Sequence, residues 1–249
     1  MTTVVVSAAI APLQAQPAAG SEQVSQRLAG HRLTIIEERD PWMRVRGADD
    51  YEGWIHRGYV EPDGSTPYRR GRISLECVVR DPRGWSRALP LGALVPDDAH
   101  PEHGEAVDAA DMPQRFPRTA DAITRSALTL FAGTPYQWGG ITPWGADCSG
   151  LVQTVFGLHG IPLPRDASQQ ARLGAAVDEA LDDLAAADLS FFSDRPDRRI
   201  THVAIALGGP RLVHLALGRG GYCVEDLADR SDPYVGALVG RYLFARRVL

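Results

Sequence analysis

The hydrophobic pattern changes near residue 119, and this change constrains the fold more than any other feature of the sequence. Residues 1–96 contain short apolar runs separated by glycine and proline, which is typical of small β-rich domains. From Thr119 onward, apolar residues recur at helical spacing in DAITRSALTLFAG and again in DCSGLVQTVFGLHG. The β runs LSFFS, HVAIALG, RLVHLAL, YCVEDL and RYLFARRVL follow. Two helices followed by an antiparallel sheet predict an α+β domain over 119–249.

The N-terminal part predicts one or two small β-barrels. Residues 1–62 supply the strand patterns TVVVSAAI, RLTIIEE, WMRVRG and GWIHRGYV, and the polar stretch after Ile10 is interpreted as a long loop. The segment EPDGSTPYRRGR is a linker by composition. A second, shorter pattern over 70–100 contains ISLECVVR, WSRALP and GALVPDD. Residues 101–118 are acidic and interrupted by proline, which predicts a linker before the α+β domain.

Composition excludes several classes of function. The chain has 249 residues with no lysine and no asparagine, so all 26 basic residues are arginine. A phosphate-binding P-loop and a pyridoxal Schiff base both need lysine, and a cysteine protease site with asparagine as third member is equally excluded. The net charge of -5 indicates no polyanionic partner, so nucleic acid is not expected.

Cysteine usage and the N-terminal segment bear on metals and location. Cys77, Cys148 and Cys223 are widely spaced, which predicts free thiols rather than a disulfide framework or a zinc site. The apolar N-terminal segment lacks a positively charged start and is broken by Pro12, which favours a cytoplasmic protein. The alternative is a secreted or periplasmic protein whose natural chain carries a signal. Nothing in the sequence is long and apolar enough to predict a membrane span.

Cys148 is the candidate nucleophile. It follows Asp147, a plausible N-cap, so it begins a helix whose apolar face predicts burial. Backbone N–H groups and the helix dipole at such a position favour thiolate over thiol. The alternative is a buried structural thiol, although a core thiol has no need of polar neighbours.

His202 is the candidate base, because it alternates with Ala204 and Ala206 along one face of a predicted strand. His214 lies on the next run, and its even separation from His202 allows both rings to share a face of a hairpin. Because asparagine is absent, His214 is the best available residue to orient the base. The alternative is a structural histidine in the core or at a sheet edge. Histidines without a readable cysteine partner are interpreted as surface or structural: His31, His56, His100, His103 and His159.

The motifs of residues 119–249 resemble the NlpC/P60 cell-wall cysteine peptidases, which have a papain-like domain. The run PYQWGG, the DCSG helix start, PRD after the helix, HVAI and the following histidine occur in the family's order. The first 62 residues resemble a bacterial SH3 domain in SEQVSQRLAGHRLTIIEE, DPWMRV and DDYEGWI, with a weaker second copy. The three-part arrangement is similar to γ-D-glutamyl-L-diamino acid endopeptidases of the YkfC type.

The resemblance implies a role for individual residues of the C-terminal domain. It makes Cys148 the nucleophile, His202 the general base and His214 the orienting member, with backbone N–H groups at the helix start binding the oxyanion. The residues implied to contact substrate are Tyr136, Asp147, Ser149 and Ser168, with Asp147 and Ser149 holding the free amine of a terminal L-alanine.

Residues of the first SH3-like domain are implied to complete the substrate site. Glu22 of the SEQVSQ motif is expected to help hold the amine, with Tyr51 as its neighbour; the alternatives are a solvated acid and a barrel-core tyrosine. Trp138 and Trp144 are interpreted as packing residues rather than pocket walls.

The implied activity is hydrolysis of the γ-D-Glu to diamino-acid bond of murein peptides through a thioester, without metal or cofactor, by a monomer that binds neither nucleic acid nor membrane. One alternative is a catalytically idle wall-binding or scaffolding protein, which the intact Cys, His, His set argues against. Another is an amidase or acyltransferase on the same fold. Whether the diamino acid is meso-diaminopimelate or lysine stays open, as does recycling against wall remodelling.

Overall fold

The computed structural model describes residues 2–64, 68, 71–81, 83–178 and 180–249, in two compact units, Met1–Arg115 and Phe116–Leu249. Part of the predicted linker EPDGSTPYRRGR therefore lies outside the described residues. Within the described residues, no helix is both long and apolar enough to cross a membrane.

The first unit consists mainly of antiparallel strands. Its elements are β1 (Thr3–Val6), β2 (Ile10–Gln14), β3 (Gln23–Leu28), β4 (Arg32–Arg39), β5 (Trp42–Arg46), β6 (Glu52–His56), β7 (Val60–Pro62), β8 (Arg72–Arg80), β9 (Ser86–Leu89), β10 (His100–Asp108) and the short helix α1 (Met112–Arg115). One sheet has the order β3-β2-β6-β5-β4-β1-β7, and a second has the order β10-β8-β9. Alternating residues such as Val4, Val6, Met43 and Val45 are buried and form the core of the larger sheet.

Two expectations for this unit are wrong. The polar stretch after Ile10 forms β2 and β3, because burial of Ala11 and Leu13 compensates for few apolar residues. The predicted linker 101–118 contains most of β10, which pairs with β8 across two register shifts. Most side chains of β10 are exposed, so no hydrophobic alternation could reveal it. The run GALVPDD makes only an isolated bridge, from Leu94 to Ile73.

The second unit is an α+β domain, as predicted. Its elements are α2 (Ala120–Leu130), β11 (Ile141–Thr142), β12 (Gly145–Ala146), α3 (Cys148–Leu158), α4 (Ala167–Gln170), β13 (Ala175–Val177), β14 (Leu189–Phe192), β15 (His202–Gly208), β16 (Arg211–Ala216), β17 (Gly221–Asp226), α5 (Pro233–Gly240) and β18 (Tyr242–Arg247). The main sheet is antiparallel, in the order β13-β18-β14-β15-β16-β17. Both predicted helices and all five predicted β runs are confirmed; α4, α5 and β13 were not predicted.

Helix α3 is held against the main sheet by its apolar face. Leu151, Val152, Val155 and Phe156 are fully buried, and the helix contacts β15 and β16. At about 25 cal/mol per Å² of apolar surface, each such side chain contributes roughly 1.5–3 kcal/mol of burial free energy. This packing fixes the start of α3 beside the strands that carry the two candidate histidines.

Candidate active site

The start of α3 is fixed by a buried carboxylate. Asp147 is the N-cap, as predicted, and its Oδ1 accepts from the backbone N–H of Gly150 at 2.8 Å and the hydroxyl of Ser149 at 3.1 Å. Its Oδ2 accepts from the backbone N–H of Gly139 at 2.8 Å. The carboxylate therefore ties the glycine-rich loop to the first turn of the helix.

Arg165 completes the bonding of Asp147. Its Nη1 lies 3.0 Å from Oδ1 and its Nη2 lies 2.5 Å from Oδ2, and its side chain is only 2% exposed. Nη1 also donates to the hydroxyl of Ser149 at 2.8 Å. Two carboxylate oxygens offer about four lone-pair positions, and five protein donors already point at them. Both side chains therefore order the helix start; the expectation that they also hold a substrate amine stays a prediction.

The glycine of the DCSG motif is required by close backbone packing. A Cβ at Gly150 would overlap the carbonyl oxygen of Gly140 and would lie 3.2 Å from Oδ1 of Asp147. The backbone N–H of Asp147 donates to the same Gly140 carbonyl at 3.2 Å. The loop and the helix start can approach this closely only without a side chain at 150.

Cys148 lies at the first position of α3 and is 7% exposed. The backbone N–H groups of Val203 and Ser149 lie close enough to the sulfur to lower its pKa, so the thiol lies beside the start of β15. Burial, followed by the negative charge of Asp147, raises the pKa of Cys148 to about 12 despite these donors. This direction opposes the thiolate expected from the helix terminus, because burial outweighs the helix terminus.

His202 and His214 are in contact, as their even spacing predicts. Nε2 of His202 lies 2.8 Å from Nδ1 of His214, with ring centroids 4.9 Å apart. Burial, then the neighbouring His214 and the charge of Arg241, hold the pKa of His202 well below its ordinary value. His202 is therefore neutral at physiological pH, so one of its ring nitrogens has a lone pair that can accept a proton.

Glu225 lies behind His214 and was missed by the sequence analysis. His214 is fully buried, and its Nε2 is 3.5 Å from Oε1 of Glu225, which is 4% exposed. Arg219 donates to both oxygens of Glu225, at 2.8 Å and 3.0 Å. The two-residue period of strands could have indicated Glu225. Cys223 pairs with His214, and Glu225 lies two residues further along the same face of β17.

His214, Cys223 and Glu225 are also residue types that bind metals, and their ligand atoms lie within 4.8 Å of one another. The Sγ of Cys223 is 3.1 Å from Oε1 of Glu225. The guanidinium of Arg219 already neutralises this carboxylate, which opposes a second positive charge at the same place. The absence of a required metal stays a prediction.

The other residues implied to contact substrate are distributed over both units. Burial and then the charges of Cys148 and Asp147 raise the pKa of Tyr136, which places its hydroxyl within electrostatic range of the nucleophile. Ser168 is exposed on α4. Glu22 is exposed and Tyr51 partly buried, and both belong to the first unit, so their part in the site stays a proposal.

Two further expectations concern residues around the candidate site. Trp138 is 58% exposed and Trp144 is 44% exposed, so the expectation that they pack in the interior is wrong. His159 is structural, as expected, because its ring nitrogens contact the carbonyl of Pro117 at 2.7 Å and the hydroxyl of Ser126 at 3.0 Å.

Known proteins resemble this chain in both sequence and fold. Residues 133–231 match the NlpC/P60 family, and residues 11–61 match the bacterial SH3 domain. A γ-D-glutamyl-L-lysine dipeptidyl-peptidase of Bacillus subtilis is 40% identical over 213 residues, covering 76% of this chain and 71% of the relative. The chain belongs to the NlpC/P60 family.

Further members share the match. A γ-D-glutamyl-L-lysine dipeptidyl-peptidase of Bacillus cereus is 41% identical over 263 residues, covering 88% of this chain and 75% of that protein. The crystal structure of an NlpC/P60 family protein from Bacillus cereus has the same fold, with a TM-score of 0.81, 19% identity and 99% of each chain covered. As a member of this family of cysteine peptidases, the chain is a hydrolase.

Proposed function

We propose that this NlpC/P60 peptidase hydrolyses the bond between γ-D-glutamate and a diamino acid in murein peptides that have a free N-terminal L-alanine. The observation that carries the proposal is the contact of Nε2 of His202 with Nδ1 of His214, beside a buried cysteine at a helix start. Two relatives named γ-D-glutamyl-L-lysine dipeptidyl-peptidases support the substrate class, since a dipeptidyl-peptidase removes two residues from a free N-terminus.

In the proposed reaction, Nδ1 of His202 takes the proton of Cys148 as the sulfur attacks the γ-glutamyl carbonyl carbon. The resulting oxyanion is bound by the backbone N–H of Cys148 at the start of α3, since the N–H groups of Gly150 and Leu151 already donate to Asp147. Collapse forms a thioester and releases the diamino acid, whose amine takes the proton from His202. Water, deprotonated by the same imidazole, then hydrolyses the thioester to the free acid.

Neutral reactants are consistent with this order of events. Because the pKa of Cys148 is raised and that of His202 is lowered, the thiol and the imidazole are both uncharged before substrate binds. Proton transfer then accompanies attack on the carbonyl, when the developing oxyanion can be stabilised by the backbone N–H of Cys148.

The requirement for a free amine is proposed to rest on acidic and polar side chains of both units. Asp147 and Ser149 next to the nucleophile are proposed to bind the ammonium group, with Glu22 and Tyr51 of the first unit as further contacts. A charge-assisted hydrogen bond in a partly desolvated site favours the ammonium over a neutral amide. Stems still amide-linked to glycan would then be poor substrates, which favours recycling of free peptides by a cytoplasmic monomer.

The nucleophile is tested by Cys148→Ala, with Cys77→Ala as the matched control for loss of a buried thiol. Cys148→Ala is expected to abolish release of the diamino acid from L-Ala-γ-D-Glu-L-Lys and from its meso-diaminopimelate counterpart, whereas Cys77→Ala retains the rate. His202→Ala is expected to cost more than His214→Ala, since the base transfers the proton. Retained activity in Cys148→Ala refutes the proposal.

The amine requirement is tested separately with N-acetylated tripeptide. Glu22→Gln is expected to raise KM for the free tripeptide. The ratio of the hydrolysis rate on the free tripeptide to that on the acetylated tripeptide is expected to fall. Glu61→Gln, an exposed acid of the same unit, is the control and leaves that preference unchanged. Equal rates on free and acetylated tripeptide in the unsubstituted protein would reject the amine site while leaving the nucleophile assignment intact.

A further inference from the structure

Only one proton can lie between Nε2 of His202 and Nδ1 of His214, the two ring nitrogens in contact. The nitrogen that carries this proton decides whether His202 can act as a base. A neutral imidazole has one N–H donor and one acceptor nitrogen. If Nε2 of His202 donates to Nδ1 of His214, then Nδ1 of His202 is unprotonated and can accept the proton of Cys148. If Nδ1 of His214 donates instead, Nε2 of His202 is the acceptor and Nδ1 of His202 already carries the proton, so Nδ1 has no lone pair to accept the proton of Cys148.

The favoured arrangement depends on the group that faces Nε2 of His214, the ring nitrogen directed away from His202. In the productive arrangement, the proton of His214 is on Nε2; in the other, Nε2 presents a lone pair. Oε1 of Glu225 lies 3.5 Å from this Nε2, and both side chains are buried. A buried carboxylate attracts an N–H and repels a lone pair, and weak screening in the interior enlarges the difference.

Glu225 is held in its charged form and in a fixed position. Burial raises the pKa of Glu225, but the neighbouring His214 and the hydrogen bonds from Arg219 and Cys223 more than compensate and bring it to about 2. Arg219 is in turn paired with Asp232, and its guanidinium lies 4.3 Å from the centre of the Tyr234 ring. The carboxylate therefore has little freedom to turn away from His214.

We propose that Glu225 is a positioning residue that keeps the proton of His214 on Nε2, and thereby keeps Nδ1 of His202 free to deprotonate Cys148. The inference deepens the proposed function and rests on it for the role of His202. The tautomer itself can be observed without any substrate, so the two ideas can fail separately.

The test combines Glu225→Gln with nitrogen NMR of 15N-histidine-labelled full-length protein. The unsubstituted protein is expected to show His214 protonated at Nε2. Glu225→Gln removes the charge and offers both donor and acceptor, so a population protonated at Nδ1 is expected to appear. Its kcat is expected to fall at least about tenfold, with KM changed less than about twofold, because orientation of the base affects the chemical step more than binding.

Two further variants separate positioning from general damage to the fold. Asp226→Asn removes the exposed acid next to Glu225 on the opposite face of β17 and keeps both Glu225 and Arg219, so the tautomer and kcat are expected to stay close to those of the unsubstituted protein. Glu225→Asp keeps the charge and is expected to restore the Nε2-protonated signal and part of kcat; it also serves if Glu225→Gln does not fold.

The NMR and kinetic results test the tautomer assignment and the proposed function separately. An unsubstituted protein with His214 protonated at Nδ1 overturns the proposal, as does a Glu225→Gln variant whose tautomer is unchanged, even if its activity falls. If the unsubstituted protein releases no diamino acid from the tripeptides yet shows the expected tautomer change, the proposed function fails and the tautomer assignment stands.

Discussion

Two glycines of α3 should respond in opposite ways to the same substitution. Gly150→Ala places a methyl group against the carbonyl oxygen of Gly140, a backbone atom that cannot rotate away. Gly157→Ala places the same methyl group where no heavy atom lies within 4 Å. The helix is common to both, so the difference measures packing at its first turn.

The expected magnitudes follow from these surroundings. Gly157→Ala should raise the free energy of unfolding by about 0.5–1 kcal/mol, the usual advantage of alanine over glycine within a helix. Gly150→Ala should lower it by about 1–3 kcal/mol, because relieving the overlap moves the loop or the helix start. A displacement on the order of 1 Å would carry Cys148 with it and lower kcat by about 100-fold.

The assay is urea-dependent hydrogen exchange on the full-length protein, read in peptides of α3, together with tripeptide hydrolysis. Gly157→Ala is expected to keep its kcat within about twofold. The reasoning about close backbone packing is refuted if Gly150→Ala is as stable and as active as Gly157→Ala.

Three further perturbations have defined outcomes. Arg165→Met leaves the buried carboxylate of Asp147 without its ion-pair partner and should lower the free energy of unfolding by about 3–5 kcal/mol. Arg230→Met, whose ion pair with Asp182 is exposed, should lower it by only about 0–1 kcal/mol. Equal losses of the two variants in urea unfolding would contradict this expectation. Because the pKa of Cys148 is raised, its alkylation by iodoacetamide should keep accelerating from about pH 6 to about pH 10, and a plateau at neutral pH would instead indicate a thiolate. EDTA should leave tripeptide hydrolysis unchanged, and a loss restored by zinc would show that the cluster behind the base holds a metal.

The local parts of the site could be predicted from sequence because local geometry decides them. Asp147 as N-cap of α3 follows from residue type and helical spacing. The shared face of His202 and His214 follows from the two-residue period of strands and an even separation. Neither prediction depends on which residues pack around the segment.

The parts that depend on distant segments could not be predicted in the same way. Arg165 reaches Asp147 from a loop beyond the end of α3, and nothing in a single sequence indicates which cation becomes buried with which acid. The raised pKa of Cys148 could not be predicted for the same reason, since the helix terminus is visible in the sequence but the burial of the thiol is not. Strand β10 could not be predicted from hydrophobic alternation, because most of its side chains are exposed and its pairing with β8 is made by backbone groups.

The order of the reactive groups along the chain determines when the protein can first act. Both imidazoles are carried by the β15–β16 hairpin near the C-terminus, whereas the thiol of Cys148 is synthesised well before them. Chains that terminate before β15 contain the thiol without a base, and a thiol lacking its base is a weak nucleophile at neutral pH. Chains truncated before β15 are therefore expected to show no peptide hydrolysis, and activity is expected only after the hairpin has been synthesised and has packed on α3.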